Sequence, residues 1–137
     1  MPSRLRVLVV SSDPDNGRNL GSILSECGLD PVLTSTLEEA QSLLAKPGVL
    51  LAFCDAELGD GTFRELLRLT ETAKIPVVVA SRVYKTLQYL EAMGLGAFDF
   101  IAPPYRRSEL EHILASALHR PNAAAAAGSG GFSAATR

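Results

Sequence analysis

The chain has 137 residues, 47% of them hydrophobic and 20% charged, and a formal net charge of -2. That length gives room for one domain with its own core, and the composition is ordinary for a soluble globular protein. The charge offers no footprint for direct nucleic-acid binding, and no apolar run approaches the roughly 20 residues of a membrane-spanning helix. Near the N-terminus, Arg4 and Arg6 precede Val7 to Val10, an apolar stretch far too short for a signal peptide, so the chain is read as cytoplasmic. Cys27 and Cys54 both lie in apolar patterns and read as buried free thiols of a reducing compartment.

In chain order, five strand candidates alternate with five helical patterns. The strands are Arg6–Val10, Pro31–Thr34, Val49–Cys54, Pro76–Ala80 and Phe98–Ile101, short and mostly rich in branched or aromatic residues. Between them the apolar spacing changes to three and four. The stripes are Leu20, Ile23, Leu24 and Cys27; then Leu37, Ala40, Leu43 and Leu44; then Phe63, Leu66 and Leu67. A fourth runs through Leu87, Leu90 and Met93, and a fifth through Leu110, Ile113, Leu114, Ala117 and Leu118. Capping boxes are expected at Thr36 with Glu39, Thr62 with Glu65, and Ser108 with Glu111.

Five βα units of about twenty-five residues each predict an α/β fold, a doubly wound parallel five-stranded sheet with helices on both faces. The domain is expected over residues 1–120. Residues 121–137, rich in Ala, Gly and Ser with no apolar period, are expected to be a disordered tail or a linker stub.

In such a sheet the carboxyl ends of the strands converge on one edge, where ligands bind. The residues brought there are Ser11, Ser12 and Asp13, then Asp55, then Ser81, then Pro103 and Pro104. Asp55 ends a six-residue uncharged run, the pattern of a strand buried on both faces. By itself it could be a nucleophile, a metal ligand or a loop carboxylate hydrogen-bonded to nearby amides. A phosphate cradle from Ser11, Ser12 and Asn16 is disfavoured: Asp13 and Asp15 repel phosphate, Pro14 lacks an amide donor, and the glycine fingerprint is missing.

Four segments in order, Leu8 to Pro14, Cys54-Asp55 with Asp60-Gly61, Ile75 to Ser81, and Gly96 to Tyr105, resemble the receiver domains of bacterial response regulators. The likeness covers nearly everything from Arg4 to Leu118. It implies a flavodoxin-like fold with strand order 2-1-3-4-5, Asp55 at the phosphoacceptor position, Ser81 as the phosphoryl contact and Phe100 as the switch aromatic. It also implies a cis Pro103–Pro104 bond. The chain departs from the family where an acidic pair is replaced by Ser11 and Ser12 and a lysine by Pro103. One expectation is that Asp13 or Glu57 rebuilds a weak Mg²⁺ site with Asp55; the alternative is that Asp13 caps the first helix and Glu57 points to water.

Tyr84, Tyr89, Tyr105 and Arg106 are candidate interface anchors on the face of the fourth helix, fifth strand and fifth helix. The resemblance implies a stand-alone module of two-component signalling that meets a sensor histidine kinase, another signalling protein or a second copy of itself. Its degenerate site makes it an interaction module more than an enzyme. The alternative is a working receiver that phosphorylates itself on Asp55.

Overall fold

A computed structural model describes residues 5–83 and 85–118. The strands are β1 (Arg6–Val10), β2 (Asp30–Thr34), β3 (Val49–Asp55), the short pair β4 (Glu57–Leu58) and β5 (Gly61–Thr62), β6 (Val77–Ala80) and β7 (Asp99–Ile101). The helices are α1 (Pro14–Glu26), α2 (Leu37–Leu44), α3 (Phe63–Glu71), α4 (Thr86–Gly94) and α5 (Arg107–Leu118).

Five strands form one parallel sheet in the order β2-β1-β3-β6-β7. With the β4–β5 hairpin set aside, this is the expected 2-1-3-4-5 order. Each central strand alternates its side chains between two cores, as the pleat requires. Val7, Val9, Leu51, Phe53, Val78 and Ile101 meet Leu20 and Leu24 of α1 and Leu110, Ile113 and Leu114 of α5. Leu8, Val10, Ala52, Cys54, Val77, Val79 and Phe100 meet Ala40 of α2, Phe63 and Leu66 of α3, and Ala92 of α4. Both cysteines are free. They lie on opposite faces of the sheet, and burial pushes the Cys54 thiol far above its usual range. No helix among the described residues is long and apolar enough to cross a membrane.

The β4–β5 hairpin pins α2 to the sheet edge where the strands end. Asp60 accepts from the backbone N–H of Leu37 (2.9 Å) and Glu38 (3.2 Å), two of the unpaired amides at the start of α2. Gly61 allows this approach, since a Cβ there would lie 2.3 Å from Leu37 Cδ1.

Three expectations change. Thr62 and Glu65 form a full capping box; Thr36 caps α2 by accepting from the Glu39 backbone N–H at 3.1 Å, but the Glu39 carboxylate accepts from Ser35, which leaves that box half formed. Ser108 caps nothing, because α5 already begins at Arg107, which pairs with Glu111 at 3.1 Å. On α4 the stripe is displaced: Leu87 and Leu90 are 81% and 56% exposed, and Ala92 with Tyr89 and Met93 packs inward. The expected tail, residues 121–137, lies outside the described residues, as do Tyr84 and the last two residues assigned to the domain.

Candidate functional site

The site forms where β1, β3 and β6 end and their chains turn into the next segments. β1 delivers Ser11, which is 5% exposed. Asp55 is the last residue of β3 and is half-buried. Three donors converge on its carboxylate. Ser11 Oγ donates to Oδ2 at 2.8 Å, the Ser12 backbone N–H to Oδ2 at 3.2 Å, and Asn16 Nδ2 to Oδ1 at 3.0 Å. Burial raises the Asp55 carboxyl above its ordinary value, and these donors pull the other way by favouring the ion.

The local sequence explains why Asn16 is there. Asp13 caps α1, accepting from the backbone N–H of Asp15 (3.0 Å) and Asn16 (3.4 Å), with Pro14 opening the helix. That cap fixes the first turn and turns the Asn16 side chain toward Asp55. The other oxygen of Asp13 pairs with Arg82 on the β6–α4 loop. Asp13 therefore serves the helix end and an ion pair, and Glu57 is exposed on the hairpin. Among the described residues, no three His, Cys, Asp or Glu side chains lie close enough to share a metal ion.

Ser81 ends the β6 side of the site, and its Oγ donates to the Val83 carbonyl at 2.8 Å. A cleft of about 380 Å³ opens beside Asp55, and Ser12, Asn16, Ser81, Arg82, Lys85 and Gln88 are among the residues that line it. Pro103 is exposed, precedes a cis peptide bond to Pro104, and brings no charge. Phe100 is buried, edge-on to Tyr89 with ring centroids 5.9 Å apart.

Tyr105 corrects the sequence reading most. It is not a surface anchor: only 8% exposed, its ring belongs to the core under α5. Its hydroxyl donates to Asn16 Oδ1 at 2.7 Å, and burial pushes the phenol up to about 12. Tyr89 is half-buried against Phe100, and Arg106 is exposed. Sequence reasoning missed the roles of Asn16 and Tyr105, and it missed that Arg82 and Lys85 wall the cleft. The Asp-Pro start of α1 was the available signal for Asn16, since a cap at Asp13 places the residue three positions later at the strand-end edge.

No family model matches the chain. It is 29% identical over 122 residues to the response regulator protein PilR of Pseudomonas aeruginosa, an alignment covering 88% of this chain and 27% of PilR. The chain thus spans about a quarter of that relative's length. Among solved structures, a two-component response regulator from Clostridium difficile superposes with a TM-score of 0.78 at 24% identity, covering 87% of this chain and 99% of that one. The receiver domain of the sensor histidine kinase PA1611 from Pseudomonas aeruginosa, with magnesium coordinated in its active-site cleft, gives 0.76 at 18% identity, covering 85% and 98%.

Proposed function

Because the described residues form a response-regulator receiver domain, we propose that the chain serves two-component signalling as a protein-interaction module whose phosphoacceptor position, Asp55, takes up little or no phosphate. The observation that carries this reading is the set of neutral groups around Asp55. Phosphoryl transfer builds charge on oxygen, and catalysis rests on cations and donors positioned to meet it. Here Ser11 Oγ, the Ser12 amide and Asn16 Nδ2 occupy the carboxylate instead.

Mg²⁺ keeps several waters and takes one or two carboxylates plus other oxygens in strict octahedral geometry. Of the described carboxylates that line the cleft, Asp13 is engaged by its helix cap and Arg82, Glu57 is exposed, and Asp55 already accepts three hydrogen bonds. Ser11 and Ser12 add neutral oxygens where the family pattern has acids. This donor set does not fit a magnesium ion well.

The partner is a sensor histidine kinase or another signalling protein of the cytoplasm. It would meet the face formed by α4, β7 and α5, where Arg106 and the outward Leu87 and Leu90 are exposed; a second copy of the chain would use the same face. Nucleic acid is not bound directly. The test is capture of partners from cell extract on the immobilised chain, with and without a magnesium chelator. The same bound proteins are expected in both; partners that vanish on chelation would overturn the reading.

One observation favours a second reading, phosphorylation on Asp55. Arg82 and Lys85 wall the cleft and bring positive charge near the acceptor. Mg²⁺ held by Asp55 with Asp13 would require Asp13 to leave both its cap and Arg82. Glu57, exposed where it lines the cleft, would have to turn toward Asp55.

A further inference from the structure

Asp55, Asn16 and Tyr105 form a continuous hydrogen-bond chain from the end of β3, across the first turn of α1, to the segment between β7 and α5. Its direction is fixed by chemistry. An ionised carboxylate only accepts, so Asn16 must turn its NH₂ toward Asp55 Oδ1. Its carbonyl oxygen then faces Tyr105, and the phenol must donate. Each member has one orientation because the first has no proton to give. Tyr105 is buried and immediately precedes the exposed Arg106 and Arg107 at the start of α5.

The geometry points to Asn16 and Tyr105 as a polarity relay: when Asp55 Oδ1 ceases to accept, the Asn16 amide turns over and Tyr105 changes from donor to acceptor. Asn16 is suited to this because its two ends exchange donor for acceptor by a half-turn of one torsion. A tyrosine hydroxyl is suited because it can do either. Once Tyr105 accepts from Nδ2, its own proton must point elsewhere. The state of Asp55 is thereby felt 50 residues along the chain, at the entry to α5. Tyr105 acts as a positioning residue; it does not touch Asp55. The inference rests on the second reading above, in which Asp55 is modified, and it adds the route by which the change leaves the site.

The test is NMR of the Tyr105 ring carbon that bears the hydroxyl, whose shift follows hydrogen-bond donation and acceptance, assigned by its disappearance in Tyr105→Phe. Asp55→Asn places an amide at the carboxylate and is expected to shift the Tyr105 signal well beyond any change at Tyr89. In Asn16→Ala, or in Asn16→Leu, which keeps more of the volume, the same Asp55→Asn substitution is expected to leave Tyr105 unmoved. A Tyr105 signal indifferent to Asp55→Asn, or one that responds equally without Asn16, would overturn the relay. Circular dichroism checks that each variant is folded. Because no partner is present, failure of the relay is distinguishable from failure of the interaction reading, which the capture experiment tests separately.

Discussion

Replacing Ser11 by aspartate restores one acid of the family pattern and should harm the isolated domain. Ser11 is 5% exposed, and its Oγ lies 2.8 Å from Asp55 Oδ2. A second carboxylate there removes a donor to a charged group, a loss of about 1.5–3 kcal/mol. It also sets two like charges roughly 4 Å apart, worth roughly 4 kcal/mol at an effective dielectric of about 20. The repulsion has a ceiling, because one acid can protonate instead. From the ordinary carboxyl value of 3.8, that escape costs about 4 kcal/mol at pH 7. We expect Ser11→Asp to lose about 3–5 kcal/mol at pH 7, a large part of a typical domain's stability. Urea unfolding followed by circular dichroism, with a chelator present, reads the loss. The deficit should shrink by about 1.4 kcal/mol per pH unit as acid makes protonation easier, and Mg²⁺ should recover part of it. A loss under about 1 kcal/mol at pH 7 would refute the reasoning, because it would mean the two side chains are not held together out of water.

Other outcomes follow from the same geometry. Asp55 has a raised folded pKa, so the native state holds its proton more tightly than the unfolded chain does. Wild type should therefore lose stability relative to Asp55→Asn as pH climbs from the ordinary carboxyl range through that raised value, and the two should run parallel below that range and again above the raised value; paired urea titrations across pH measure this. Gly61→Ala would push a methyl group into Leu37 Cδ1 and should lower stability by about 1–3 kcal/mol in thermal melts. Asp60→Ala leaves two amides of α2 unpaired. It should lower stability by about 0.5–2 kcal/mol and speed hydrogen exchange at Leu37 and Glu38.

The sheet was legible because its central strands are buried on both faces, and continuous runs such as Val77 to Ala80 have few other readings. The helix α4 was less so. Leu87 and Leu90 fall at helical spacing with Met93, but the sheet takes Tyr89 and Ala92, and periodicity does not say which of two overlapping stripes packs. Ser108 shows a similar limit: a Ser-x-x-Glu pattern caps a helix only if the helix starts there, and Arg107 had already begun it. At the site, Asp55, Ser11 and Ser81 were placed by their strands. Asn16 and Tyr105 were not, because their contact joins residues 89 positions apart and depends on how the first turn of α1 meets the turn after β7. Tyr105 read as an interface anchor because aromatic and Arg residues gather in the region of the fourth helix, fifth strand and fifth helix; burial of its ring is a property of the assembled core.

The central claim is that Asp55 stands in the acceptor position among groups that do not support phosphoryl transfer. Intact mass measurement after incubation with Mg²⁺ and a small acyl phosphate tests it most directly. The wild-type chain should show no phosphoryl adduct, while the variant carrying Ser11→Asp, Ser12→Asp and Pro103→Lys should gain one. A stoichiometric adduct on the wild type, absent in Asp55→Asn, would contradict the account.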